Sequence, residues 1–149
     1  MTPQVERIIR ERLETFDEDA KAARPWEDVL ADLKARRPLP PSPRLTHPVR
    51  LSALAALDIQ QAREWHDARE PGLGDQFLQR VNETMTRIGQ NPHQYPTIIE
   101  DVRRANLRQF KYGVWYRVKV DGSVVVACLH HRQQPEIAKA RALGREPSP

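Results

Sequence analysis

YGVWYRVKVDGSVVVACLHHR, residues 112–132, is the most strongly patterned stretch of the chain. Val114, Tyr116, Val118 and Val120 alternate with Trp115, Arg117 and Lys119, the period-two signature of a half-buried strand. Asp121-Gly122 predicts a two-residue hairpin turn, because both positions of the favoured turn type need positive φ. The run from Val124 to Arg132 is the most apolar and predicts a central strand of an antiparallel sheet. Alternation from Val124 puts Val126, Cys128, His130 and Arg132 on one face and turns His131 to the other.

Upstream of this hairpin the period changes. A strand is expected at Val49 to Ser52, then a helix from Ala53 to Ala68 with Ala55, Ile59, Ala62 and Trp65 on one stripe. Glu70-Pro71-Gly72 ends it, and a second helix from Leu73 to Gly89 repeats Phe77, Val81, Met85 and Ile88 before Asn91-Pro92 stops it. A loop over residues 92–101 leads into a strand from Val102 to Phe110, and a tail helix is expected after Pro135. The order is β-α-α-β-β-β. It predicts an α+β body with an antiparallel sheet, a helical hairpin on one face and the other face left free.

Ahead of the body lie two amphipathic helices. Thr2-Pro3 suits an N-cap and first helical position, and Val5, Ile9, Leu13 and Phe16 follow on one stripe. Asp17 to Arg24 is polar and breaks that stripe; Pro25 then opens a helix with Trp26, Val29, Leu30 and Leu33 at i, i+3, i+4 and i+7. Two short helices with narrow stripes cannot shield each other, so they need another surface. Trp26 is the expected anchor on that surface. From Arg37 to Pro48 five of twelve residues are proline, an extended spacer that reaches roughly 35 Å. The division is therefore residues 1–36 as head, 37–47 as linker, 48–142 as body and 143–149 as tail.

Charge follows the same division. Residues 1–33 carry five basic and nine acidic side chains, whereas residues 46–149 carry 15 basic and 11 acidic. An acidic head faces a basic body, an asymmetry that steers the two together. The longest apolar run is Val124 to Leu129, far short of the about 20 residues a bilayer span needs, and the first seven residues already carry charge. A soluble, cytoplasmic protein with no membrane partner is expected. The single cysteine, Cys128, excludes an internal disulfide and reads as a small buried hydrophobe. No metal or cofactor is expected.

Several segments in order resemble the RelE/ParE family of type II toxin-antitoxin toxins. They are Leu57-Asp58-Ile59, Pro71-Gly72-Leu73-Gly74 with Phe77, Asn91-Pro92, Tyr95-Pro96, Val102-Arg103-Arg104, Leu107-Arg108-Gln109-Phe110, Tyr112 to Tyr116, Val124 to Ala127 and His130-His131-Arg132. Arg12-Leu13-Glu14 through Phe16 and Pro25-Trp26-Glu27-Asp28-Val29 are similar to the toxin-binding part of addiction-module antitoxins. The resemblance implies a fusion in which an antitoxin-like segment neutralises its own toxin, either in cis or by exchange with a second copy. The expected contact is through Ile9, Leu13, Phe16, Trp26, Val29, Leu30 and Leu33.

The resemblance also implies two targets. One branch of the family cleaves messenger RNA on the ribosome, using cations to hold the scissile phosphate and a group to accept the 2′-hydroxyl proton. Arg103, Arg108, Lys111 and Arg132 are the candidate cations here, with His130 the titratable group. The other branch inhibits DNA gyrase by binding. His130-His131-Arg132-Gln133-Gln134-Pro135 departs from the family's His-Gly-Arg-Arg-Asp-Pro, Ile137 and Ala138 stand where an aromatic is usual, and Lys111 replaces a proline. Both targets stay open, as do a catalytically inactive regulatory pair and a basic RNA-binding module, for which Trp115 is the one stacking aromatic in the strand run.

Overall fold

The structure, a computed structural model, describes residues 2–33 and 48–131. The expected linker, the tail helix after Pro135, residues 143–149 and Arg132 lie outside the described residues. Chain order is α1 (Pro3–Glu14), α2 (Phe16–Lys21), β1 (Arg24–Pro25), α3 (Trp26–Leu33), β2 (Val49–Leu51), α4 (Ala53–Arg69), α5 (Leu73–Gln90), a 3-10 turn at Pro92–Gln94, β3 (Thr97–Ile99), β4 (Val102–Asn106), β5 (Tyr112–Lys119) and β6 (Gly122–His130). The Thr2 and Ser52 hydroxyls cap α1 and α4 by accepting from the Val5 and Ala55 amides.

The architecture is α+β, but the sheet is mixed rather than antiparallel. Among the described residues six strands run β1-β2-β6-β5-β4-β3. All neighbours are antiparallel except β2 and β6. β2 reaches β6 only through the helical hairpin and the rest of the sheet, a crossover that permits parallel pairing where a tight turn does not. Pro25 does not open a helix: it sits in edge strand β1, where its missing N–H is tolerated, and α3 begins at Trp26. The polar stretch after Phe16 holds the short α2. On α4 the inner stripe carries His66 rather than Trp65, which is half-buried with the Arg69 guanidinium 4.6 Å from its ring.

The hairpin turn falls one residue earlier than expected. Lys119 pairs with Gly122, leaving Val120 and Asp121 as the loop, and Val120 is fully exposed. Gly122 is instead used for close approach. It has φ +139° and a side chain there would meet the Pro48 carbonyl oxygen at 2.7 Å, the same oxygen that accepts from the Ser123 amide.

A bulge in the central pair decides which residue faces where. Trp115 pairs with Ala127 and Tyr116 with Val125, so Val126 has no partner on β5. Val124, Val126, Ala127 and Leu129 consequently pack on one face, and Val125 and Cys128 on the other. Of the residues expected on one face, Cys128 and His130 stay together and Val126 lies on the other. Cys128 is buried and outside any disulfide, with His130 beyond it on the helical-hairpin face.

The sheet's second face is not bare. Val5, Ile9 and Phe16 of α1 and α2 form a core with Ile99, Val102, Trp115, Val124, Val126 and Leu129. The first face carries the larger core, where Phe77, Val81, Met85 and Ile88 of α5 meet Ile59, Val114, Tyr116 and Val125. Trp26, Val29 and Leu30 of α3 belong to this larger core.

Candidate functional site

Cross-strand pairing collects cations at the end of the sheet nearest the β4–β5 loop. Arg104 lies opposite Trp115, its guanidinium carbon 5.4 Å from the ring centroid, on the face that α1 covers. Its stem passes over Gly113, where a Cβ would come within 2.9 Å of the arginine's Cγ. One step along, the His131 amide donates to the Lys111 carbonyl at 2.8 Å. Burial, with the Arg104 and Lys111 charges close by, lowers the His131 pKa below the usual imidazole value.

Arg108 and Lys111 are exposed on the loop that joins β4 to β5. The Leu107 amide closes this loop on the Tyr112 carbonyl at 3.0 Å. Gln109 within it has φ +71°, a conformation that costs a non-glycine residue. Its side chain accepts from Arg80 and donates to Gln76, both on α5, which fixes the loop and the direction of its cations. Among the described residues Arg104, Arg108 and Lys111 have no carboxylate partner. They form a positive surface suited to an anionic or acidic partner.

The other expected candidates lie elsewhere. Arg103 is on the hairpin face and donates to the His93 and Tyr95 carbonyls, beside Tyr116, whose hydroxyl donates to the Pro92 carbonyl at 2.6 Å. Burial pushes the Tyr116 pKa far above that of an ordinary phenol. His130 is half-buried on the same face with its ring edge-on to Tyr112, centroids 5.3 Å apart. Thus Lys111 and Arg108 share a region, while Arg103 and His130 are separated from Arg104 and Lys111 by the sheet. Alternation counted from Val124 misplaces His131, because the bulge at Val126 is invisible to it, whereas Arg104 shares a face with Val102 by plain alternation along β4 and sequence reading did not single it out. Among the described residues no group of three His, Cys, Asp or Glu side chains could hold a metal.

The seven head residues all meet the body. Ile9, Phe16, Trp26, Val29 and Leu30 are buried, Leu13 is half-buried on the α1 core and Leu33 on the hairpin core. The Trp26 indole donates to Asn82 of α5 at 2.8 Å, and the Arg117 guanidinium carbon lies 4.6 Å from the Phe16 ring centroid. Sequence reading missed a polar contact between the same two parts, Arg12 to Asp58. Arg12 continues the α1 stripe of Val5 and Ile9, and Asp58 lies on the α4 stripe between Ala55 and Ala62, so opposite charges on two apolar stripes were the available signal.

A family model described as the ParE toxin of the type II toxin-antitoxin system, parDE, matches residues 49–135. Among solved structures the chain is similar to one described as a chromosomal ParDE TA system from P. aeruginosa. The identity is 17%, the TM-score 0.51, and the match covers 57% of this chain and 96% of that one. That likeness is one of fold. No curated protein matches the chain.

Proposed function

This chain belongs to the ParE toxin family of type II toxin-antitoxin systems, and from that premise we propose that residues 48–142 are a growth-inhibiting body covered by an antitoxin-like segment, residues 1–36, of the same chain. The family match begins at residue 49, so the head lies outside it. The observation that supports the cover is the placement of α1: Val5, Ile9 and Phe16 shield Trp115, Leu129 and Val102 on a sheet face that the body's own helices leave open.

For the target, the geometry favours inhibition by binding, as in the gyrase-directed branch, over acid–base cleavage of RNA. His130, the expected proton acceptor, packs on Tyr112 across the sheet from Arg104 and Lys111. Expression of residues 46–149 under tight control tests the reading against the full chain. The truncated body should arrest growth, and the purified fragment should inhibit gyrase supercoiling without cutting messages. A fragment that is folded by circular dichroism yet harmless would favour an inactive regulatory pair, and message cleavage would favour the nuclease.

A further inference from the structure

β2 ends at Leu51, and its last contact with β6 is the Ser52 amide donating to the Val125 carbonyl. Beyond that point the edge of β6 away from β5 meets side chains instead of a strand. The Asp58 carboxylate accepts from the Cys128 amide at 3.0 Å. Arg12, on α1, donates to the Val126 carbonyl at 2.9 Å and grips Asp58 with both terminal nitrogens, at 2.5 and 3.0 Å. The Asp58 side chain is only 2% exposed and that of Arg12 13%. The bulge at Val126 and the arginine fork thus meet at one place.

This contact runs against the general charge of its two parts. The head is acidic and the body basic, yet here the head supplies the cation and the body the buried anion. Long-range attraction would draw any acidic helix to the body. A buried carboxylate instead rejects a helix that brings no cation, because leaving such a group unpaired is costly.

We propose that Asp58, with the Val126 carbonyl, is a receptor for a single arginine side chain, and that it selects which helix can cover this body. The inference rests on the reading of residues 1–36 as the cover and adds how that cover is recognised. The partner class is a short amphipathic helix presenting arginine from its apolar stripe, and the occupant is this chain's own α1. Lysine does not substitute, because a point charge cannot make the two-nitrogen grip and the carbonyl bond together. Burial pulls the Arg12 pKa down, but Asp58 outweighs it and holds the guanidinium charged.

The test keeps the whole chain, with a protease site placed among residues 37–47 and cut after folding. A labelled peptide of residues 2–33 exchanges into the cut protein, and unlabelled peptides compete until the signal is constant. The wild-type and Arg10→Ala peptides should displace it equally, since Arg10 is exposed and pairs within α1 with Glu6. Arg12→Ala should need roughly 100-fold more peptide or beyond, and Arg12→Lys should stay well short of wild type. Arg12→Ala competing within threefold of wild type would overturn the receptor while leaving the cover intact. Failure of the wild-type peptide itself to bind would overturn the cover and the receptor together.

Discussion

The two long head helices, α1 and α3, solve different problems on the same body. α3 extends a core that α4, α5 and the sheet already form, with Trp26, Val29 and Leu30 beside Val49, Leu51 and Ile59. α1 makes a core where the body alone has none, and its apolar partners in the body are strand residues of β3 to β6. Loss of α3 thins an existing interior; loss of α1 opens a whole sheet face. Stabilisation and masking can therefore reside in different parts of one short segment.

That contrast can be broken by substitution. The largest effect is expected at the charge pair: Arg12→Ala leaves the Asp58 carboxylate buried without its cation, and Asp58→Ala strands the arginine, each costing roughly 3 to 5 kcal/mol in urea unfolding. Trp26→Ala should lower global stability by about 3 to 5 kcal/mol, because its cavity opens in the main core. Ile9→Ala removes comparable packing, about 2 to 5 kcal/mol. Its loss should appear first as faster hydrogen exchange in α1 with α4 and α5 still protected, since α1 can undock while the larger core persists.

Titration gives a smaller effect confined to the main core. The His66 Nδ1–H donates to the Ala62 carbonyl at 2.6 Å, with the ring among Phe77, Phe110 and Tyr112. Burial, aided by the Arg69 charge, lowers its pKa in the folded state, whereas the unfolded chain titrates at about 6.5. Protonation therefore favours unfolding. Stability present above that pH is lost as pH falls through it towards the folded value, and His66→Gln should flatten the profile in denaturation curves. The smallest effect on stability is expected at exposed Arg108 and Lys111: alanine there should change unfolding by no more than about 0.5 kcal/mol. The same changes should weaken growth arrest by the separated body more than His130→Gln does.

Much of the fold was legible in the sequence because period and punctuation agreed. Phe77, Val81, Met85 and Ile88 marked the buried side of α5, and Thr2-Pro3 marked the start of α1. What escaped was set by contacts distant in sequence. The approach of Pro48 to Gly122 moved the hairpin turn, and the bulge at Val126 reversed the faces of His130 and His131 relative to Val124, from which alternation counts. The candidate site was legible only in part. Arg108 and Lys111 stand on one exposed loop as neighbours in sequence, but the placing of His131 beside them depends on that bulge. Arg12 and Asp58 each look misplaced on an apolar stripe when read singly, and make sense only as a pair.

The masking role of α1 is most directly tested in the full chain carrying Val5→Asp and Ile9→Asp, which places charge in the α1 core while α3, β1 and the linker stay intact. Growth is measured on expression, with hydrogen exchange on the purified protein to establish that α1 has undocked and that α4 and α5 remain protected. Growth arrest by this variant, beside normal growth with the unaltered chain, is the expected result. Normal growth with α1 undocked and the body still folded would contradict the cover.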